Sequence, residues 1–298
     1  MRVFVTGASG WIGSATVDDL LNAGHQVVGL VRSETAAAEL QAKHAEVLFG
    51  NLDDLETLRR GAAESDGVIH LANKHDWNDP AESNRAERAA VEAIAETLVG
   101  SDRPFVLASG LFQPDHEGLT LETDNHPESG PGSLRGGSEN LALDYVTRGV
   151  RSIAARFAPT VHGLGDHGFI ALITAAARRH GVSCYIGDGS AEWAAVHRTD
   201  AARLIRLGLE QAPAGTRLHA VAEQGIRSRT IAETIGEAFD LPVTSISPDD
   251  AVEHFGFLGR LFGTQMRASN AQTRASFSWN PTGPTLAEDI LNGAYAEA

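Results

Sequence analysis

The chain has 298 residues, with 24 Lys and Arg against 39 Asp and Glu, which gives a formal charge of −15. So acidic a balance excludes a broad phosphate-neutralising surface, and nucleic acid is not an expected partner. One cysteine, Cys184, excludes an intrachain disulfide and a cysteine-based zinc site. No apolar stretch approaches the length of a membrane span, and the first residues lack the pattern of a leader, so a cytoplasmic location with no membrane partner is expected.

Arg2 to Thr6 is a short apolar run followed at once by Gly7, Gly10 and Gly13, spaced G-x-x-G-x-x-G. A helical apolar period then begins with Trp11, Ile12, Ala15, Val17, Leu20 and Leu21. Strand, glycine turn and helix in this order let backbone N–H groups and a helix N-terminus meet a pyrophosphate. The turn residues Gly7, Ser9, Gly10, Trp11, Ile12 and Gly13 are therefore the first candidates for dinucleotide binding.

Further strands are expected at 26–31, 46–49, 67–72, 104–108 and 151–157, alternating with helices at 33–43, 54–63, 80–98 and 135–147. Strand and helix in alternation specify an α/β fold, a Rossmann-type doubly wound parallel sheet whose strand C-termini share one ligand-binding edge. Residues 110–134 hold Gly, Pro, Ser and acidic residues without a period, and read as a long loop, either a binding segment or simple surface. Beyond Pro159 the elements shorten. Helices are expected at 169–179, 200–210 (with Asp200 as N-cap), 230–239 and from Leu286, and strands at 184–186, 194–197, 217–221 and 243–246. The expected division is residues 1–158 as a dinucleotide-binding Rossmann domain and 159–298 as mainly a smaller C-terminal α/β lobe, with some segments returning to the sheet.

These stretches together resemble the extended short-chain dehydrogenase/reductase family, the NAD(P)-dependent epimerase/dehydratase superfamily. The matching segments are TGASGWIG, GVIHLA at 67–72, Ser109 in VLASG, RFAPTVHG at 156–163, YIGDG at 185–189, AVHRTDAARL at 195–204 and SWNP at 278–281. The resemblance implies that residues 1–158 bind NAD(P) and 159–298 mainly the substrate, a small molecule held between the two lobes, and by family analogy that the chain forms a homodimer through the helices near 80–98 and 135–147. It further implies adenine contacts at Asn51 and Leu52, a cofactor lining from Leu71, Ala72 and Asn73, and a nicotinamide neighbourhood at Ala158, Thr160 and Val161. The family usually carries an aspartate where Asn51 stands.

An NAD-preferring site carries an acid at the end of the second strand. Here that strand ends in Arg32 and Ser33, with no carboxylate before them. A guanidinium fork and a hydroxyl suit a 2′-phosphate, so NADP is favoured over NAD unless Arg32 is merely a solvated loop residue.

The family's catalysis rests on Ser, Tyr and Lys, the last two in a Y-x-x-x-K helix. Ser109 matches the serine, but Arg135 and Glu139 stand where that motif is expected, so the usual proton donor is missing. Arginine is too basic to donate a proton near neutral pH, though it can polarise a carbonyl. His75, after the fourth strand, is a candidate replacement acid or else a solvated loop residue. Tyr145, the sole tyrosine of the expected helix, is followed four residues on by Gly149 and does not restore the motif. The twelve histidines form no metal-ligand pattern, so no metal is expected. The leading expectation is an atypical NADP-dependent oxidoreductase acting on a small molecule, with Ser109, Arg135 and His75 as catalytic candidates. Alternatives are an NADP-binding redox sensor without catalysis and epimerase- or lyase-type chemistry.

Overall fold

The computed structural model describes residues 1–74, 79–111 and 118–297. In chain order the strands are β1 (Arg2–Thr6), β2 (Gln26–Val31), β3 (Glu46–Phe49), β4 (Gly67–His70), β5 (Pro104–Gly110), β6 (Arg151–Phe157), β7 (Thr160–His162), β8 (Ser183–Ile186), β9 (Glu192–His197), β10 (Arg217–Ala220), β11 (Glu223–Arg227) and β12 (Val243–Ile246). The helices are α1 (Trp11–Asn22), α2 (Glu34–Ala42), α3 (Leu55–Ala63), α4 (Pro80–Leu98), α5 (Ser138–Asp144), α6 (Phe169–His180), α7 (Arg198–Gln211), α8 (Ser228–Phe239), α9 (Ala251–Phe255), α10 (Ala271–Phe277) and α11 (Leu286–Leu291). They form two compact units, one of residues 1–109, 123–156 and 202–218, the other of residues 110–122, 157–201 and 219–298.

The chain has the expected α/β architecture. A seven-stranded sheet runs β10-β6-β5-β4-β1-β2-β3. Strand β1 lies parallel to both β2 and β4, β2 to β3, and β4 to β5. Parallel neighbours need a crossover, and the apolar runs show where it packs. Val3, Phe4 and Val5 are all fully buried, so both faces of β1 are covered. Phe4, Val28, Leu30, Val68, Phe105 and Leu107 share one core with Leu58 and Ala62 of α3 and with Ala90, Val91, Ile94 and Leu98 of α4.

Side-chain caps set the starts of these helices. Ser33, Asp54 and Asp79 each accept a backbone N–H from the first turn of α2, α3 and α4, and Pro80 opens α4 without losing a hydrogen bond. The strand order reverses between β1 and β4, where Thr6 lies opposite His70. This is the topological switch point at which open α/β sheets bind ligands.

In the second unit β9 pairs antiparallel with β11 and parallel with β7, and β8 runs parallel to β12. Its core gathers Trp193, Phe255 and Phe262 with apolar residues of α6, α8 and α11. Strands β7 and β11 were not anticipated. Asp200 is not an N-cap, because α7 begins two residues earlier at Arg198. Its buried carboxylate instead accepts the backbone N–H groups of Thr282 (3.0 Å) and Gly283 (2.7 Å), while its carbonyl accepts the Trp279 indole N–H (3.1 Å). The S-W-N-P stretch thus docks on a buried aspartate.

The expected helix 135–147 also differs. Arg135, Gly136 and Gly137 take left-handed φ values of 53°, 62° and 64°, and the α-helix starts only at Ser138.

Gly61 shows which effect wins where a helix crosses the sheet. Alanine is the better helix former by about 1 kcal/mol. A Cβ at Gly61, however, would lie 2.6 Å from the Phe4 ring. Overpacking of this kind costs roughly 1–3 kcal/mol, so Gly61→Ala is expected to lower the urea unfolding midpoint rather than raise it.

Candidate functional site

The glycine turn is shaped by close backbone approach. Gly7 is left-handed at φ 69°, and a Cβ there would lie 2.7 Å from the Ala72 nitrogen; one at Gly13 would lie 1.9 Å from the Gly7 carbonyl oxygen. Gly10 caps α1 in extended conformation with no side-chain hydrogen bond, and the first turn carries no acidic residue. Open N–H donors and the positive end of a helix dipole are what a pyrophosphate needs. Ser9 is exposed beside them, and Trp11 and Ile12 are half-buried in the first turn.

Arg32 is exposed at the end of β2. The Ser33 hydroxyl accepts the Ala36 N–H as helix cap, which leaves its own hydrogen free to donate. Asn51 is exposed and its amide oxygen accepts the Asp53 N–H, while Leu52 is buried. Leu71 and Ala72 are half-buried against Gly7.

Around this turn lies a chain of buried polar groups. Thr6 accepts the Ala72 N–H (3.3 Å) and meets His70 Nδ1 at 2.8 Å. The other nitrogen of the His70 ring is Nε2. That nitrogen stands 3.7 Å from Glu87 Oε2, too long for a hydrogen bond but within strong electrostatic reach. Glu87 is wholly buried. It accepts the Asn73 amide (3.2 Å) and Arg135 Nη2 (2.7 Å). Burial alone would raise its pKa, but the Arg135 charge, with His70 and the Arg135 hydrogen bond, brings it down to about 2.

A second buried carboxylate lies at Glu139. It receives Arg156 Nη2 at 2.7 Å, Arg156 Nε at 3.1 Å and Arg217 Nε at 3.4 Å. The Ser109 hydroxyl also hydrogen-bonds it. Burial pushes this carboxyl up; the Arg156 hydrogen bonds and charge, joined by Ser109, outweigh that and hold it below the usual range. Ser109 itself is buried. The structure thus brings Ser109 together with Glu139, and Arg135 together with Glu87.

Tyr145 lies apart from both, its hydroxyl donating to Glu96 at 2.7 Å; burial and that carboxylate push its pKa up to about 12. His75 lies outside the described residues. Ala158 and Thr160 are buried and Val161 half-buried in the second unit, where Thr160 and Val161 pair with Ala195 and Val196.

The sequence did not single out Glu87, His70 or Arg156. One signal was present. Asn84, Glu87 and Arg88 fall at i, i+3 and i+4 on α4, a polar stripe within an alanine-rich helix that needs partners if buried. His126 is half-buried, and burial lowers its pKa. Among the described residues no group of three His, Cys, Asp or Glu could hold a metal, and no helix is long and apolar enough to cross a membrane.

The fold and turn define a dinucleotide-binding α/β protein. Residues 3–221 match the NAD dependent epimerase/dehydratase family, and the chain belongs to it. An uncharacterized protein of Schizosaccharomyces pombe is 45% identical over 296 residues, 99% of this chain and 100% of that one. The 4-hydroxy-2-methyl-3-oxo-4-farnesyl-3,4-dihydroquinoline-1-oxide ketoreductase of Stigmatella aurantiaca is 32% identical over 167 residues, 52% of this chain and 49% of that one. Among solved structures, the dTDP-glucose 4,6-dehydratase DesIV of Streptomyces venezuelae, with NAD and TYD bound, superposes with a TM-score of 0.77 at 20% identity, covering 100% of this chain and 97% of its own.

Glu87 gives the site an acid-sensitive contribution to stability. Its folded pKa lies below the ordinary glutamate value of 4.5, so the stabilisation is complete above that value and is lost as pH falls towards about 2. The unfolding midpoint of Glu87→Gln should fall less steeply than that of the parent between about pH 5 and pH 2 in urea titrations; parallel slopes would contradict an ionised, buried Glu87.

Proposed function

We propose that this protein is an NADP-dependent oxidoreductase that moves a hydride between the cofactor and a carbonyl or related group of a small molecule. The observation that carries the reading is the uncapped glycine turn at the β1–β4 switch point, with Arg32 and Ser33 where an NAD site would place an acid. Gly7, Ser9, Gly10, Trp11, Ile12 and Gly13 would hold the pyrophosphate, and Arg32 and Ser33 the 2′-phosphate. Asn51 and Leu52 would take the adenine, Leu71, Ala72 and Asn73 the adjoining ribose, and Ala158, Thr160 and Val161 the nicotinamide. Residues 1–158 would thus bind the cofactor and 159–298 mainly the substrate. When bound, the nicotinamide supplies or accepts the hydride.

In this reading the Tyr-x-x-x-Lys motif is replaced by Arg135 and Glu139. The Arg135 side chain is 33% exposed and can donate to the reacting oxygen, stabilising negative charge there. It does not give up its proton, so the proton comes from another group, for which His75 remains the candidate. Ser109 interacts with Glu139, and in this reading its hydroxyl would also hydrogen-bond the reacting oxygen. The ketoreductase relative and the NAD-bound dehydratase neighbour support nicotinamide chemistry.

The lock of Ser109 and Glu139 by Arg156 also favours a second reading, an NADP-binding redox sensor without turnover. Epimerase- or lyase-type chemistry, as in the family at large, would keep the cofactor bound and return the hydride to the substrate.

Titration with NADPH and NADH, followed by NADPH oxidation over a panel of aldehydes, ketones and imines, separates these. Charge-assisted bonds to a phosphate contribute about 1.5–3 kcal/mol, so Arg32→Asp should weaken NADPH about tenfold to a hundredfold while leaving NADH nearly unchanged. Equal loss for both cofactors would remove the NADP assignment. Tight NADPH binding without turnover on any carbonyl would favour the sensor.

A further inference from the structure

Two unfavourable features converge on Arg135. Its backbone is left-handed, which is unfavourable for a residue with a Cβ, and its side chain pairs with a carboxylate that has no exposure to water. Backbone strain of this kind collects at functional sites, where the surrounding structure holds it in place.

The surroundings here are one face of α4. Asn84 Oδ1 accepts the Arg135 backbone N–H at 2.8 Å, Arg88 Nη1 donates to the Gly136 carbonyl at 2.8 Å, and Glu87 Oε1 accepts Arg135 Nη2 at 2.7 Å. Gly136 packs so closely that a Cβ would lie 2.5 Å from the Asn84 carbonyl oxygen. Glu87 is in turn fixed from β4 and its exit by His70 and Asn73, and His70 from β1 by Thr6. Backbone, side chain and glycine contacts therefore all restrict one guanidinium, whose buried Nε has no hydrogen-bond partner among the described residues.

We propose that Glu87 is a positioning residue for Arg135, a buried carboxylate that presents the guanidinium ready-oriented to the oxygen of the reacting carbonyl. The inference rests on the oxidoreductase reading given above. A purely structural ion pair would not require a strained backbone, three anchors from one helix face and an arginine that stays one-third exposed. Glu87 leaves the Nη N–H groups of Arg135 that it does not bind to meet a substrate oxygen and fixes their direction, so that no reorganisation is needed as charge develops.

The arrangement has a direct test, because a buried carboxylate deprived of its arginine will recruit a free guanidinium ion. In Arg135→Ala, NADPH-dependent turnover should fall about a hundredfold or more. Guanidinium chloride well below denaturing concentrations should restore part of it in a saturable manner, while sodium chloride should not. In the double variant Arg135→Ala/Glu87→Gln this rescue should vanish. Rescue that survives in the double variant, or that is matched by sodium chloride, would overturn the proposal.

An arm independent of turnover uses thermal unfolding. Guanidinium should raise the unfolding midpoint of Arg135→Ala but not of the parent or the double variant, and absence of that shift would overturn the positioning role. No turnover by the parent on any carbonyl would instead overturn the oxidoreductase reading, leaving the guanidinium shift to decide the pairing.

Should Arg135→Ala not fold, Arg135→Lys keeps the charge. Adding Glu87→Gln to it should move the alkaline limb of its pH profile down by about one unit or more, since the lysine loses its carboxylate partner. An unmoved limb would count against Glu87.

Discussion

A carboxylate shut away from water persists only where donors replace its hydration, and the ligand edge of the first unit is arranged around two of them. Glu87 and Glu139 are both buried, and each is answered by arginine: Arg135 for the first, Arg156 and Arg217 for the second. The remaining lone pairs draw in Asn73 on one side and Ser109 on the other. Side chains read from the sequence as facing a ligand are therefore engaged first with the protein. What they can offer a ligand is what the two carboxylates leave over. For Arg135 it is the Nη N–H donors of a fixed guanidinium that Glu87 does not take.

The dependence extends to the backbone. Three successive left-handed residues, Arg135 to Gly137, would unravel as a free loop, and glycine alone explains only two of them. The third is held because Asn84, Glu87 and Arg88 lie on one stripe of α4. That stripe is in register with the loop because α4 is anchored at its start by Asp79 and Pro80 and packed by its apolar face against β1, β4 and β5. A helix cap and a sheet core thus set the direction of a side chain many residues away. The left-handed turn also means that the α-helix expected from residue 135 begins only at Ser138.

Much of the architecture was legible in the sequence because it rests on short-range physics. The apolar runs of β1 to β6 and the glycine spacing each act within a few residues, and each specifies its element without knowledge of the rest. The buried charge network was not legible, because pairs such as Arg135 with Glu87 and Arg156 with Glu139 join residues 48 and 17 positions apart. The same limit applies to Asp200. It looked like a helix cap because the partners that outbid that role, the N–H groups of Thr282 and Gly283, lie more than 80 positions downstream. Helical continuity across 135–147 failed for a different reason. Gly136 and Gly137 were visible, but only contact with Asn84 decides that they turn left-handed and do not merely weaken a helix.

Charge reversal at position 139 gives the network its meaning. The resemblance places a lysine there in the wider family, a cation whose role is to depress a tyrosine pKa. A carboxylate in the same place would be untenable alone, since burial raises its free energy and nothing nearby would share its charge. It becomes tenable because β6 supplies Arg156 and the start of β10 supplies Arg217, so that reversal of one charge is matched by cations from two strands. The same reasoning applies to arginine at 135, which Glu87 answers from α4. Arg135 and Glu139, each with its own buried partner, thus form a self-consistent electrostatic arrangement. A well-packed apolar replacement is as stable as a buried ion pair, or more so, so stability alone does not require either pair, and polarity kept on those terms argues for a role towards a bound group.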